Sequence, residues 1–253
     1  MDVRYDDLAV SVHEEAAVMG HAVAEAFAAA VRRGLATNDT VGAVVQTGGS
    51  QKPFYAALAE RDDIDWARVE LFHLDEFVGL SAEHPVSFRG WIRGNVADRF
   101  GVQAFHELRG DAPDPQAEAR RYGELLRAHA PEVAVMSIGE EGQLGFNEPP
   151  AEMLTLDPVL VVDLAAPSRE ALVGPGAFED VDATPERVLT MSVPALLAAE
   201  TVLLAVPEQR KAAPVQAALE GPITRAVPAS ALRLCPRAHL HLDRDSASAL
   251  RLD

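Results

Sequence analysis

Val41-Gly-Ala-Val-Val45, followed by Gln46-Thr47-Gly48-Gly49-Ser50-Gln51-Lys52-Pro53, is the stretch that decides the fold. Five small or β-branched apolar residues without polar alternation read as a strand buried on both faces, the habit of parallel sheets. A glycine-rich turn follows, and a helix is predicted from Pro53 to Arg61. In such a turn glycines let the backbone approach an anion, the hydroxyls of Thr47 and Ser50 can donate, and the helix N-terminus favours negative charge. A plain strand-to-helix turn would read the same way, since the loop is neither a Walker A sequence nor GxGxxG.

The same alternation continues along the chain. Short apolar runs predict further strands over Val69–His73, Val133–Ile138, Val159–Asp163, Val202–Val206 and His239–Asp243. Helices are predicted over His13–Arg33, Pro115–His129 and Lys211–Glu220, and Leu80–Arg99 reads as a loop entering a helix. No repeat or linker interrupts the 253 residues, so one domain spanning 1–253 is expected. The fold class is α/β: a doubly wound, mostly parallel, Rossmann-like sheet with helices on both faces. Ligands of such sheets sit beyond the carboxyl ends of the strands, so function is sought in the residues after each strand.

Composition narrows the partners. The formal net charge of −17 repels nucleic acids and anionic membranes. No run of apolar residues is long enough to span a bilayer, and Met1–Val10 has three aspartates where a secretory signal would be basic and apolar. The single Cys235 excludes an intrachain disulfide and fits a reducing cytoplasm. A cytoplasmic protein with a small anionic ligand, no nucleic-acid partner and no membrane partner is expected; homo-oligomerisation stays open.

The strand ends supply candidate chemistry. Asp75 and Glu76 follow the second strand, where a carboxylate can act as a proton-transfer base or simply face water. Glu140, Glu141 and Glu148 lie in the glycine-containing loop after the Val133 strand. Arg169 and Lys211 each put a cation after a strand, as an anion ligand or a surface ion pair. His239 and His241 share one face of the last strand, but two ligands do not complete a metal site, so no metal is expected there.

Taken together, the segments TGGSQKPFYAAL, FHLDEFVGLSAEHPVSFRGWI, RGDAPDPQAEARRY, IGEEGQLGFNEPP, PERVLTMSV and RKAAPVQAALEGPITRAVPASALRLCPRA resemble the glucosamine-6-phosphate deaminase (isomerase) family. That family shares the sugar-phosphate isomerase fold with the 6-phosphogluconolactonases. The resemblance implies that Thr47, Gly48, Gly49, Ser50, Arg169 and Lys211 hold the phosphate of a small sugar phosphate. It implies that Asp75 moves a proton between C2 and C1 of the open-chain sugar, and that Glu148 supports the imidazole that opens the ring. No metal or organic cofactor is implied.

The chain departs from the family pattern at two positions. Glu141 stands where the family has Asp or Asn, and Gln143 where it has the ring-opening histidine. Glutamine can hydrogen-bond but cannot ionise near neutral pH. Sugar binding and the Asp75 step are not directly affected by this change; ring opening as the family does it is the step that loses its ionisable group, and what remains of it would fall to Glu141 and Glu148. The implied activity is isomerisation and deamination of an amino-sugar phosphate such as glucosamine 6-phosphate, giving fructose 6-phosphate and ammonia. The alternatives are a 6-phosphogluconolactonase-like hydrolase, or a sugar-phosphate-binding homologue with weak turnover.

Overall fold

The computed structural model describes residues 1–174 and 176–252. Its strands are β1 (Asp2–Tyr5), β2 (Leu8–His13), β3 (Val41–Val45), β4 (Val69–His73), β5 (Asp75–Phe77), β6 (Ala104–His106), β7 (Val133–Met136), β8 (Val159–Asp163), β9 (Arg187–Met191), β10 (Thr201–Val206) and β11 (Ala238–Asp243). Its helices are α1 (Ala16–Leu35), α2 (Lys52–Ala59), α3 (Phe88–Ile92), α4 (Asp98–Phe100), α5 (Pro115–His129), α6 (Ala166–Ala171), α7 (Val193–Leu196) and α8 (Ala212–Glu220).

Eight strands form one sheet in the order β1-β2-β11-β10-β7-β3-β4-β6, parallel throughout except for the β1/β2 hairpin at one edge. The two-residue period of a strand sends alternate side chains to opposite faces. Val41, Ala43, Val45, Val133 and Val135 pack with α1 and α2, while Val44, Ala134, Met136, Val202 and Leu204 pack with α5 and α8. Both faces are covered, which is why these strands read as continuous apolar runs. From β3 the chain winds outward through β4 to β6, then returns to lay β7 on the other side of β3 and winds out through β10 to β11. The crevice between the carboxyl ends of β3 and β7 is therefore the switch point where doubly wound sheets bind ligands.

Several expectations are corrected. The Val159–Asp163 strand forms, but in a separate three-stranded antiparallel sheet ordered β5-β9-β8. A short apolar run does not specify its partner, and β8 is only half-buried in its middle. His13 belongs to β2, opposite Asp243, and α1 starts at Ala16. The N-terminal hairpin, β6 and β9 were not foreseen. They are short or polar on one face, and their partners are remote in sequence. The Val133 strand ends at Met136, which frees Ser137 and Ile138 to turn into the crevice. No helix among the described residues is long and apolar enough to cross a membrane.

Candidate active site

A cavity of about 340 Å³ occupies the switch point. Its walls are the loop after β3 (Gln46–Ser50), the loop after β7 (Ser137–Phe146) and the start of the segment after β10 (Arg210, Lys211), with Asp75 inside and Phe88 and Leu172 at the side. Gly48 has a φ of 111° and open space where a Cβ would stand, so its glycine is required by backbone conformation and not by crowding. A single helical turn, Gly49–Gln51, then leads into α2, so the loop that lines the cavity ends at a helix N-terminus. Across the crevice the Ser137 N–H donates to Gln46 Oε1 at 2.8 Å, tying the two loops together.

Asp75 is held by the small sheet. It pairs with Thr190 of β9, and the Met191 N–H donates to the carbonyl of Leu74 at 2.9 Å. Gly145, at a φ of 57°, brings the β7 loop so close that a Cβ there would lie 2.5 Å from Leu74 and 3.6 Å from the Asp75 carboxylate. Burial first, and the neighbouring Glu76 second, push the Asp75 carboxyl up to about 8. Glu76 itself alternates to the other side of β5. There it accepts from Ser87 Oγ at 2.7 Å and from the backbone N–H groups of Phe77, Phe88 and Arg89. The adjacent carboxylates thus divide into one facing the cavity and one pinning the following loop.

The cavity also carries positive charge. Lys211 is 5% exposed, and among the described residues its ammonium makes no ion pair. Burial and then the Arg210 charge hold it below the ordinary lysine value. Arg210 lies at the rim, paired with Glu140 and Glu208. Ser137 is a site residue that the sequence reading missed: its Oγ is buried and has no hydrogen-bond partner among the described residues. Its position one residue past β7 was the available signal, as was that of Arg210 beside Lys211.

Of the residues singled out in the sequence, Thr47, Gly48, Gly49, Ser50, Asp75, Gln143 and Lys211 line this one cavity. Three other candidates are not. Arg169 turns away: its Nε donates to Thr184 Oγ1 at 2.9 Å and its Nη2 to the Val181 carbonyl at 2.7 Å, so it fastens the segment before β9. Glu148 lines a neighbouring cleft with Pro149, Pro150 and Arg225, and its Oε2 accepts from the Ala165 N–H at 3.3 Å. Glu141 is exposed, and its N–H donates to Gln143 Oε1 at 2.9 Å. Gln143 is thereby folded back onto its own turn, against Gly139. Among the described lining residues Asp75 is the one carboxyl.

Fold and site together define a doubly wound α/β protein with a cavity at its switch point, lined by a glycine-rich loop, a buried lysine and one buried carboxyl. The sequence model described as glucosamine-6-phosphate isomerases/6-phosphogluconolactonase matches residues 14–147, and the chain belongs to that family. It is 33% identical to a glucosamine-6-phosphate deaminase of Streptomyces coelicolor, over 96% of this chain and 93% of that one. It is 34% identical to another from an Exiguobacterium species, over 80% and 78% of the two chains. A solved structure of a monomeric glucosamine-6-phosphate deaminase superposes with a TM-score of 0.84 at 27% identity, covering 95% of this chain and 99% of that one. The 6-phosphogluconolactonase of Trypanosoma brucei superposes with a TM-score of 0.73 at 17% identity, over 99% and 100%, a likeness of fold.

Proposed function

We propose that this protein is a cytoplasmic enzyme that isomerises and deaminates an amino-sugar phosphate, turning glucosamine 6-phosphate and water into fructose 6-phosphate and ammonia. The observation that carries this reading is the buried Asp75 carboxyl in a cavity that is also lined by the Thr47–Ser50 loop and Lys211. An anion bound by the loop N–H groups, the Thr47 and Ser50 hydroxyls and Lys211 leaves the rest of an extended sugar chain beside Asp75.

In the open-chain aldose, Asp75 removes the C2 proton and the electron pair moves toward C1, giving an enediol-type intermediate with nitrogen on C2. Returning the proton to C1 leaves a C2 iminium, which water hydrolyses to the ketone, releasing ammonia. The substrate's own carbonyl takes up the charge, so Asp75 is the group on which the chemistry turns. A base with its pKa near neutrality combines sufficient ionisation with sufficient basicity. The free Ser137 hydroxyl supplies a donor for a sugar oxygen.

Ring opening has no dedicated acid in this cavity, because Gln143 does not ionise and neither Glu141 nor Glu148 lines it. Turnover of cyclic substrate is accordingly slow relative to that of open-chain substrate. The decisive experiment measures ammonia release from glucosamine 6-phosphate alongside hydrolysis of 6-phosphogluconolactone. Ammonia release that disappears in Asp75→Asn while sugar-phosphate binding persists supports the proposal. Lactone hydrolysis without ammonia release would replace it with the hydrolase, and binding without either reaction would leave a binding protein.

A further inference from the structure

On the α5 side of the sheet, away from the sugar cavity, three side chains from three elements converge. Glu70 Oε2 of β4 lies 2.7 Å from Nε2 of His106, the last residue of β6, and 3.0 Å from Nδ1 of His129, at the end of α5. The three ligand-type atoms all lie within 4.8 Å of one another. None of these residues lines the sugar cavity. Glu70 stands three residues before the end of β4, about 10 Å along the strand from the edge where that cavity opens.

The surroundings resemble those of a built site more than a chance surface cluster. Thr40 Oγ1 donates to the other carboxylate oxygen, Glu70 Oε1, at 2.9 Å, fixing the plane of the carboxylate. Phe72 stacks on the His106 ring at a centroid distance of 4.5 Å and also touches the His129 ring, giving one side an apolar wall. Glu70 and His106 are largely buried, with 14% and 18% of their side chains exposed, while His129 at 30% leaves a route in from solvent.

We infer that Glu70, His106 and His129 form a binding site for one divalent transition-metal ion of the Zn²⁺ type. Two imidazole nitrogens and one carboxylate are a donor set suited to Zn²⁺, leaving a fourth position for water. Tetrahedral bonds of about 2.0–2.1 Å place neighbouring donor atoms about 3.3 Å apart. The carboxylate oxygen, now 2.7 and 3.0 Å from the two ring nitrogens, would have to draw back from each by about 0.3–0.6 Å. Without metal, His106 Nε2 hydrogen-bonds the same carboxylate oxygen that His129 Nδ1 approaches. With metal, both rings take the other tautomer and present lone pairs. The ion would clamp the edge strand β6 and the end of α5 to β4, a role separate from sugar chemistry.

The test uses the whole protein, stripped with chelator and titrated with Zn²⁺ by calorimetry. One Zn²⁺ per chain is expected, together with a higher melting temperature. His106→Gln and His129→Gln should each weaken binding tenfold or more, and the double variant should abolish it. Thr40→Val, which keeps all three ligands, should weaken it by about tenfold through loss of the carboxylate's orienting bond. Co²⁺ bound to the unaltered chain should shift the ring-proton resonances of His106 and His129, a readout that needs no variant to fold. Absence of Zn²⁺ binding at tens of micromolar would overturn the inference. So would binding that persists in the double variant, or Co²⁺ shifts confined to His13, His239 and His241.

Discussion

Asp75 acts as a base only when ionised, and its carboxyl is pushed up to about 8. On the activity proposed above, kcat/KM should therefore climb with pH through about 8 and level off beyond it. A profile already flat from pH 6 would remove Asp75 as the base. Lys211 is buried at the cavity wall without an ion pair among the described residues, so on the proposed function its pairing with a phosphate would be charge-assisted. Lys211→Ala should weaken sugar-phosphate binding about ten- to hundredfold, equivalent to about 1.5–3 kcal/mol, as read by calorimetry. Gln143 caps its own turn by accepting from the Glu141 N–H. Histidine at that position can accept the same bond through one ring nitrogen and turn the other toward the sugar. Gln143→His should then raise deamination of cyclic glucosamine 6-phosphate by about tenfold or more, since a positioned acid or base contributes about a hundredfold or more. An unchanged rate would mean that ring opening does not limit turnover.

The elements hold these residues through close backbone approaches. At Gly20, in the first half of α1, a Cβ would lie 2.4 Å from the carbonyl oxygen of Pro53 in α2. The glycine therefore sets how closely α1 approaches the start of α2, and with it the position of the Thr47–Ser50 loop. Alanine there would gain about 1 kcal/mol of helix propensity but meet backbone that cannot yield like a flexible side chain. Overpacking of this kind costs about 1–3 kcal/mol. Gly20→Ala should lower the urea midpoint and also weaken sugar-phosphate binding, although residue 20 touches no ligand. A lower midpoint with unchanged affinity would show that the loop is positioned independently of α1. Similar coupling surrounds Asp75, where β5, β9 and Gly145 bring three remote segments to one carboxyl.

The whole molecule bears the cost of keeping that carboxyl buried. Asp75 titrates near 3.8 when unfolded and near 8 when folded. Between these values the folded state binds more protons than the unfolded one, so raising the pH through this window destabilises the fold, and the loss is complete above the folded value. Asp75→Asn removes the ionisation. The stability difference between variant and parent should shift in the variant's favour as pH rises from 5 to 9, by on the order of a few kcal/mol. Thermal melts at several pH values would read this, and a pH-independent difference would mean that the carboxyl is not held out of water.

By itself the sequence determined the parallel core, because a strand covered on both faces is apolar nearly throughout: β3 and β10 read as such runs, and the helix α5 reads directly between Pro115 and His129. It also pointed to the Thr47–Ser50 loop and Asp75 as cavity residues, since strand ends are where a doubly wound sheet binds ligands. Tertiary structure decided everything that depends on which remote segments meet. Arg169, a cation after a predicted strand, is spent on Val181 and Thr184. Glu148 enters a different cleft, and β8 joins an antiparallel sheet. Glu70, His106 and His129 are separated by 36 and 23 residues along the chain and meet only because β6 pairs with β4 and the end of α5 brings His129 against both. Local sequence fixes what each segment can bury, but only the packing of the segments fixes which side chains share a site.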